Sequence, residues 1–235
     1  MKKKVFVVAA ALAFSAFQGW SKENYKQEQF VNLLNIEVGY EISPKGYFFS
    51  DLGDWHGYGF NNPSDASLVG GFRGPAFTGE RSLSLQWLSD CFEKMRVVET
   101  VGNSTKVLSY TGSVMNEYLP GMLRQQLEAG DIQVRLKEIA VSDRSTMIEY
   151  TITNRGTTER ILGALFTGKA TYKDAQCESL SKNSLSIGVS DNKHHFIVSF
   201  PENSSLAMKG ENAYETTIES KKLHPGKSYV FYTFT

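Results

Sequence analysis

Two cysteines in 235 residues, Cys91 and Cys177, are too few for a cysteine-based zinc framework. In an oxidising compartment they form a candidate disulfide. The alternative is a pair of ordinary thiols, Cys91 beside Phe92 in a strand-like run and Cys177 within the polar stretch Asp174–Glu178. An excess of one charge is also missing. The 25 Lys and Arg residues balance 25 Asp and Glu residues, so there is no net field to attract nucleic acid or an anionic membrane surface. No Ser-His-Asp elbow, Walker loop or dinucleotide glycine fingerprint stands in a suitable context. The adjacent His194 and His195 would point to opposite faces of a strand, which argues against a shared metal. No metal or other cofactor is therefore expected. Fixed-length repeats, low-complexity tracts, Pro/Gly/Ser-rich linkers and long helical periodicity are absent as well.

The apolar run Val5–Phe17 is too short to cross a bilayer, and it follows Lys2, Lys3 and Lys4. With small residues at Gly19 and Ser21, this pattern predicts a secretory signal peptide over residues 1–21. The competing reading is an N-terminal membrane anchor. No lipobox cysteine lies nearby, so the mature chain, residues 22–235, is expected to be exported, periplasmic and free of the membrane.

That mature chain is long enough for one large domain, and its 41% hydrophobic content supplies a core. Short runs rich in Val, Ile, Tyr, Phe and Thr are separated by Gly, Asn, Asp, Ser and Pro clusters, the pattern of an all-β sandwich. Leu83, Leu85 and Trp87 alternate with polar residues, as do Ile132, Val134 and Leu136. Ile139 and Val141 then continue the apolar set on odd numbers, which predicts a β-bulge near Glu138. Ile148, Tyr150 and Ile152 form the next apolar face. Asn154-Arg155-Gly156 reads as the turn of a hairpin meander that resumes at Arg160–Phe166. Five further strands are expected at 184–189, 194–200, 204–209, 214–219 and 227–235. The sequence stops inside the apolar run Tyr229–Thr235, which reads either as a sealed last strand or as a chain cut before a following domain.

The densest chemical signal is the aromatic, glycine-rich stretch Gly46–Phe60, followed by Leu68–Phe77. The run from Phe49 through Asp51, Asp54, Trp55, His56 and Gly57, then Gly70-Gly71-Phe72 with Gly74, then Asp90-Cys91-Phe92, resembles the N-terminal domain of bacterial family 63 glycoside hydrolases. The likeness continues through Pro120-Gly121, Asp131–Leu136 and Ile148–Asn154. It implies a large antiparallel, supersandwich-like β-sandwich that packs on a catalytic helical toroid. In the family that toroid carries an Asp general acid and a Glu general base for inversion at an α-glucosidic bond. No residue of this chain matches either one, so no catalytic residue is assigned.

Glycoside hydrolysis needs a carboxylate pair. Asp51 and Asp54 are the tempting pair, but their spacing in a glycine-containing loop fits backbone-capping turn residues better. Trp55 and His56 are candidate sugar contacts, an indole for stacking and an imidazole for a hydroxyl, against an ordinary packing role. Phe72 and Arg73, after two glycines, are candidate cleft residues. For Arg73 a structural or inter-domain ion pair is the stronger reading. The expected function is a non-catalytic domain of an α-glucosidase-like hydrolase that helps shape the entrance for an α-glucoside oligosaccharide. The alternatives are a stand-alone carbohydrate-binding module and a scaffold or interaction protein.

Overall fold

The computed structural model describes residues 49, 56–61, 65, 67–78, 85–111, 115–189 and 195–235. The predicted signal peptide, residues 1–21, and Asp51, Asp54, Trp55 and His194 lie outside them. Every regular element among the described residues is a β-strand, and all pairings are antiparallel. β1 (His56–Gly59), β2 (Arg73–Thr78) and β3 (Leu85–Trp87) form a small sheet. The next hairpin is β4 (Lys94–Val101) with β5 (Ser104–Val107). A true meander follows in β6 (Met115–Leu119), β7 (Met122–Ala129), β8 (Ile132–Ser142) and β9 (Ser145–Asn154). Gly130, at φ 64°, supplies the left-handed residue that the tight β7–β8 turn needs.

β10 (Arg160–Lys169) then leaves this sheet and pairs with β4. β11 (Gln176–Ser181), β12 (Ser184–Gly188) and β13 (His195–Ser199) extend the first sheet, and β14 (Ser204–Met208) and β15 (Ala213–Leu223) extend the second. β16 (Ser228–Phe234) returns between β13 and β9. The result is an eight-stranded sheet, β11-β12-β13-β16-β9-β8-β7-β6, and a five-stranded sheet, β14-β15-β10-β4-β5, in a sandwich-like fold.

The period of two along each strand decides which side chains enter the core. In β9 every second residue from Thr146 to Asn154 is buried, and in β16 Tyr229, Phe231 and Thr233 alternate with exposed Val230, Tyr232 and Phe234. Rings from both large sheets meet inside. Tyr150 of β9 lies 5.0 Å from Phe166 of β10, edge to face, and 5.4 Å from Phe231 of β16, stacked. Phe166 in turn meets Phe200, which meets Tyr214. Such pairs add about 0.5–1.5 kcal/mol each beyond the burial of their area.

Three expectations are corrected by these strands. Glu138 is buried at 1% exposure, so the inward set of β8 stays on even numbers from Ile132 to Ala140. The register shift falls between Ala140 and Ser142, and Val141 is exposed. A polar residue on the inner face had hidden the continuing phase. Asn154-Arg155-Gly156 is not a hairpin turn either, because β9 and β10 belong to different sheets. Asn154 is the corner: it is fully buried, and its Nδ2 donates to the carbonyls of Thr158 at 2.8 Å and Leu223 at 2.9 Å. Its Oδ1 accepts from the amide of Gly156 at 3.0 Å. Lastly, β11 is a strand where the sequence suggested only a polar stretch. It is an edge strand with most side chains exposed, so apolar alternation had nothing to mark.

A polar clasp also joins the two large sheets. Glu93, one residue before β4, is 5% exposed and accepts hydrogen bonds from the hydroxyls of Thr233 and, at 2.7 Å, Thr235, at the end of β16. Tyr214 donates to the carbonyl of Phe92 at 2.8 Å beside it. Burial raises the Glu93 pKa above its ordinary value, and the two threonine hydroxyls oppose that shift.

Candidate functional site

Of the residues singled out by sequence, His56 and Arg73 stand in the small sheet, and Phe72 immediately precedes it. His56 opens β1, opposite Phe77, and Gly59 is opposite Arg73 of β2. The stretch read as an aromatic loop therefore runs into a strand at residue 56. Trp55 lies outside the described residues.

Phe72 and Arg73, adjacent in sequence, are both taken up by packing. Phe72 is 2% exposed, with its ring 5.9 Å from that of Phe60, so it belongs to the core. Arg73 is 6% exposed. One terminal nitrogen of its guanidinium lies 3.0 Å from Asp90 Oδ1, and its carbon sits 4.7 Å from the centroid of the Trp87 ring. Burial lowers the Arg73 pKa, and the charge and hydrogen bond of Asp90 oppose that shift. The Arg73 Nε atom is buried and has no hydrogen-bond partner among the described residues. Gly59 makes room for this stack, because a side-chain carbon there would come within 3.2 Å of the Trp87 ring.

Chemically, this is a cation held between an aromatic face and a half-exposed carboxylate. It can fix the β2–β3 hairpin and present a polar rim, but it offers no nucleophile and no acid-base pair. Trp87 and Asp90 were missed as partners of Arg73. The alternation of Leu83, Leu85 and Trp87 marked the tryptophan as a packing residue, and nothing in the spacing announced that its ring would meet the guanidinium.

The paired glycines serve close packing within the chain. A side-chain carbon at Gly70 would lie 2.4 Å from the Met95 carbonyl oxygen, and one at Gly71 would lie 2.6 Å from Cys91 Sγ. The Gly70 carbonyl accepts from the Met95 amide at 2.8 Å, and the Gly70 amide donates to Gln125 Oε1 at 3.2 Å. Gly70 thus permits the approach to β4 and β7, and Gly71 the approach to the Cys91–Glu93 segment that leads into β4.

Cys91 and Cys177 are free thiols, the first buried and the second half-buried. Burial pushes the Cys91 pKa up to about 12 and that of Cys177 to about 11, so neither carries a thiolate near neutrality. Among the described residues no group of three or more His, Cys, Asp or Glu side chains is arranged to hold a metal ion.

The order of these pieces matches a known pattern. A family model described as glucosidase YgjK, N-terminal, covers residues 37–209. The chain belongs to that family. The YgjK N-terminal match takes in the small sheet, the Arg73 unit and all strands from β4 to β14. Among solved structures, a polysaccharide lyase superposes with a TM-score of 0.46 at 14% identity, over 61% of this chain and 25% of that one. The chain thus spans about a quarter of that lyase's length.

Proposed function

We propose that this YgjK N-terminal family member is an exported, periplasmic, non-catalytic domain of an α-glucosidase-like hydrolase, which packs on a catalytic helical domain and helps shape its substrate entrance. Membership of a glucosidase N-terminal family over residues 37–209 carries the reading. The small sheet supports it. Its Arg73 is paired with Asp90 and lies over the Trp87 ring rather than being poised across a cleft. An inverting hydrolase needs two carboxyl groups roughly 6.5–9.5 Å apart across a sugar, one of them in the apolar surroundings that suit a general acid. Glu93 is enclosed but bound to threonine hydroxyls between the sheets, where no sugar reaches.

The deciding experiment is turnover by the purified mature chain. With maltose, kojibiose and nigerose as substrates, glucose release stays at the buffer blank. A complex with a catalytic domain of the same family, mixed in trans, sediments faster than either part. Glucose release by the lone chain would overturn the reading.

A further inference from the structure

The outer face of the eight-stranded sheet carries a trough at its β11–β13 end. Pairing fixes which residues share that face. Gln176 is opposite Gly188, and Gly188 is opposite His195; Glu178 is opposite Ser186, and Ser186 is opposite Ile197. Ser184 is opposite Ser199, which is opposite Phe234 of β16. Directly paired residues lie on one side of a sheet. The intervening Leu185, Ile187, Phe196 and Val198 are buried in the core, so these three rows face outward.

Two hollows lie along the rows and share His195 as a common wall. One, of about 630 Å³, is lined by Asp174, Gln176, Glu178 and His195 with Ser186 and Gly188 between them. The other, of about 290 Å³, is lined by His195, Ile197 and Phe234 with Arg144 at its rim. Gly188 opens the space beside the imidazole, since a side-chain carbon there would lie 3.3 Å from His195 Cε1. Ile197 and Phe234 remain 52% and 46% exposed, although they sit among well-packed strands.

We propose that this trough binds a neutral oligosaccharide across the outer face of the sheet, as a contact separate from the small-sheet region. The two ends offer complementary halves of what a sugar chain presents. The carboxylates and amide of Asp174, Glu178 and Gln176 accept hydrogen bonds from hydroxyl groups, and the imidazole can donate or accept. Exposed Phe234 and Ile197 cover the apolar C–H face of a pyranose ring. A run of hollows joined at His195 suits a chain of sugars better than a single unit. The carbohydrate class rests on the family reading above, but the site itself does not depend on the lone chain being inactive.

The test uses the mature chain with a length series of neutral gluco-oligosaccharides, disaccharide to hexasaccharide, followed by calorimetry and backbone amide shifts. Affinity rises with chain length, and the amide signals of Gly188 and His195 move on titration. Glu178→Ala combined with His195→Ala, and separately Phe234→Ala, each weaken binding about tenfold or more, a loss of about 1.4 kcal/mol or more. All three side chains are exposed, and an unchanged circular dichroism melt verifies that the variants fold. No binding of any member of the series would overturn the trough. So would binding that survives these variants but disappears in Trp55→Ala, which would move the site to the aromatic stretch. Glucose release by the lone chain would instead count against the non-catalytic role and leave the trough standing.

Discussion

Glu93 places a carboxyl group where two sheets meet, and its partners there are hydroxyls. The buried groups facing it are Tyr150 of β9, Tyr214 of β15 and Cys91, and each of them would be a like charge if ionised. Because burial raises its pKa, the folded protein holds the Glu93 proton more tightly than the unfolded chain does. The stabilisation from that proton is complete below the ordinary glutamate value and is lost as pH rises through the raised one. Glu93→Gln keeps the side-chain shape without the titration. The stability difference between wild type and E93Q, read from urea midpoints at successive pH values, therefore moves against the wild type from about pH 4.5 upward. A constant difference across that range would show that the group titrates alike in both states.

At the scale of elements, the crossover from β9 to β10 depends on one amide side chain. Asn154, itself fully buried, satisfies the buried carbonyl of Leu223 together with the carbonyl of Thr158 and the amide of Gly156 on the more open side of the corner. Asn154→Ala leaves the buried Leu223 carbonyl without this donor and lowers stability by roughly 1–3 kcal/mol, measurable by urea unfolding. The strands on either side of this corner were legible from sequence because their inward residues are apolar at every second position. The corner was not, because Asn-Arg-Gly suits a hairpin and a sheet-to-sheet crossover equally well. Only the long-range partner, the carbonyl of Leu223, distinguishes them. The same limit applies to Glu138 and β11, where a buried carboxylate and an exposed edge each break the expected alternation. For the site, the sequence marked Arg73, but its partners Trp87 and Asp90 lie across a hairpin whose register one sequence does not specify.

For the whole molecule, the buried rings make the sandwich one packing unit. Phe49, Tyr58 and Phe60 near the small sheet belong to the same buried cluster as Phe166 and Phe231 between the large sheets. Phe166→Ala removes a fully buried ring at the centre of that cluster and costs about 3–5 kcal/mol. If the three sheets unfold together, the loss appears as one shift of the same size in far-ultraviolet dichroism and in tryptophan fluorescence. Two separate transitions would mark the small sheet as an independent unit.

Trp87 adds a practical property. It is the tryptophan among the described residues, and its ring lies under a guanidinium beside the half-exposed Asp90. Its emission will respond to anything that changes the wetting or charge of that corner. The difference spectrum between wild type and Trp87→Phe therefore works as a built-in optical gauge. Without any attached dye, it reports whether an arriving neighbour has settled over the small sheet or elsewhere on the molecule.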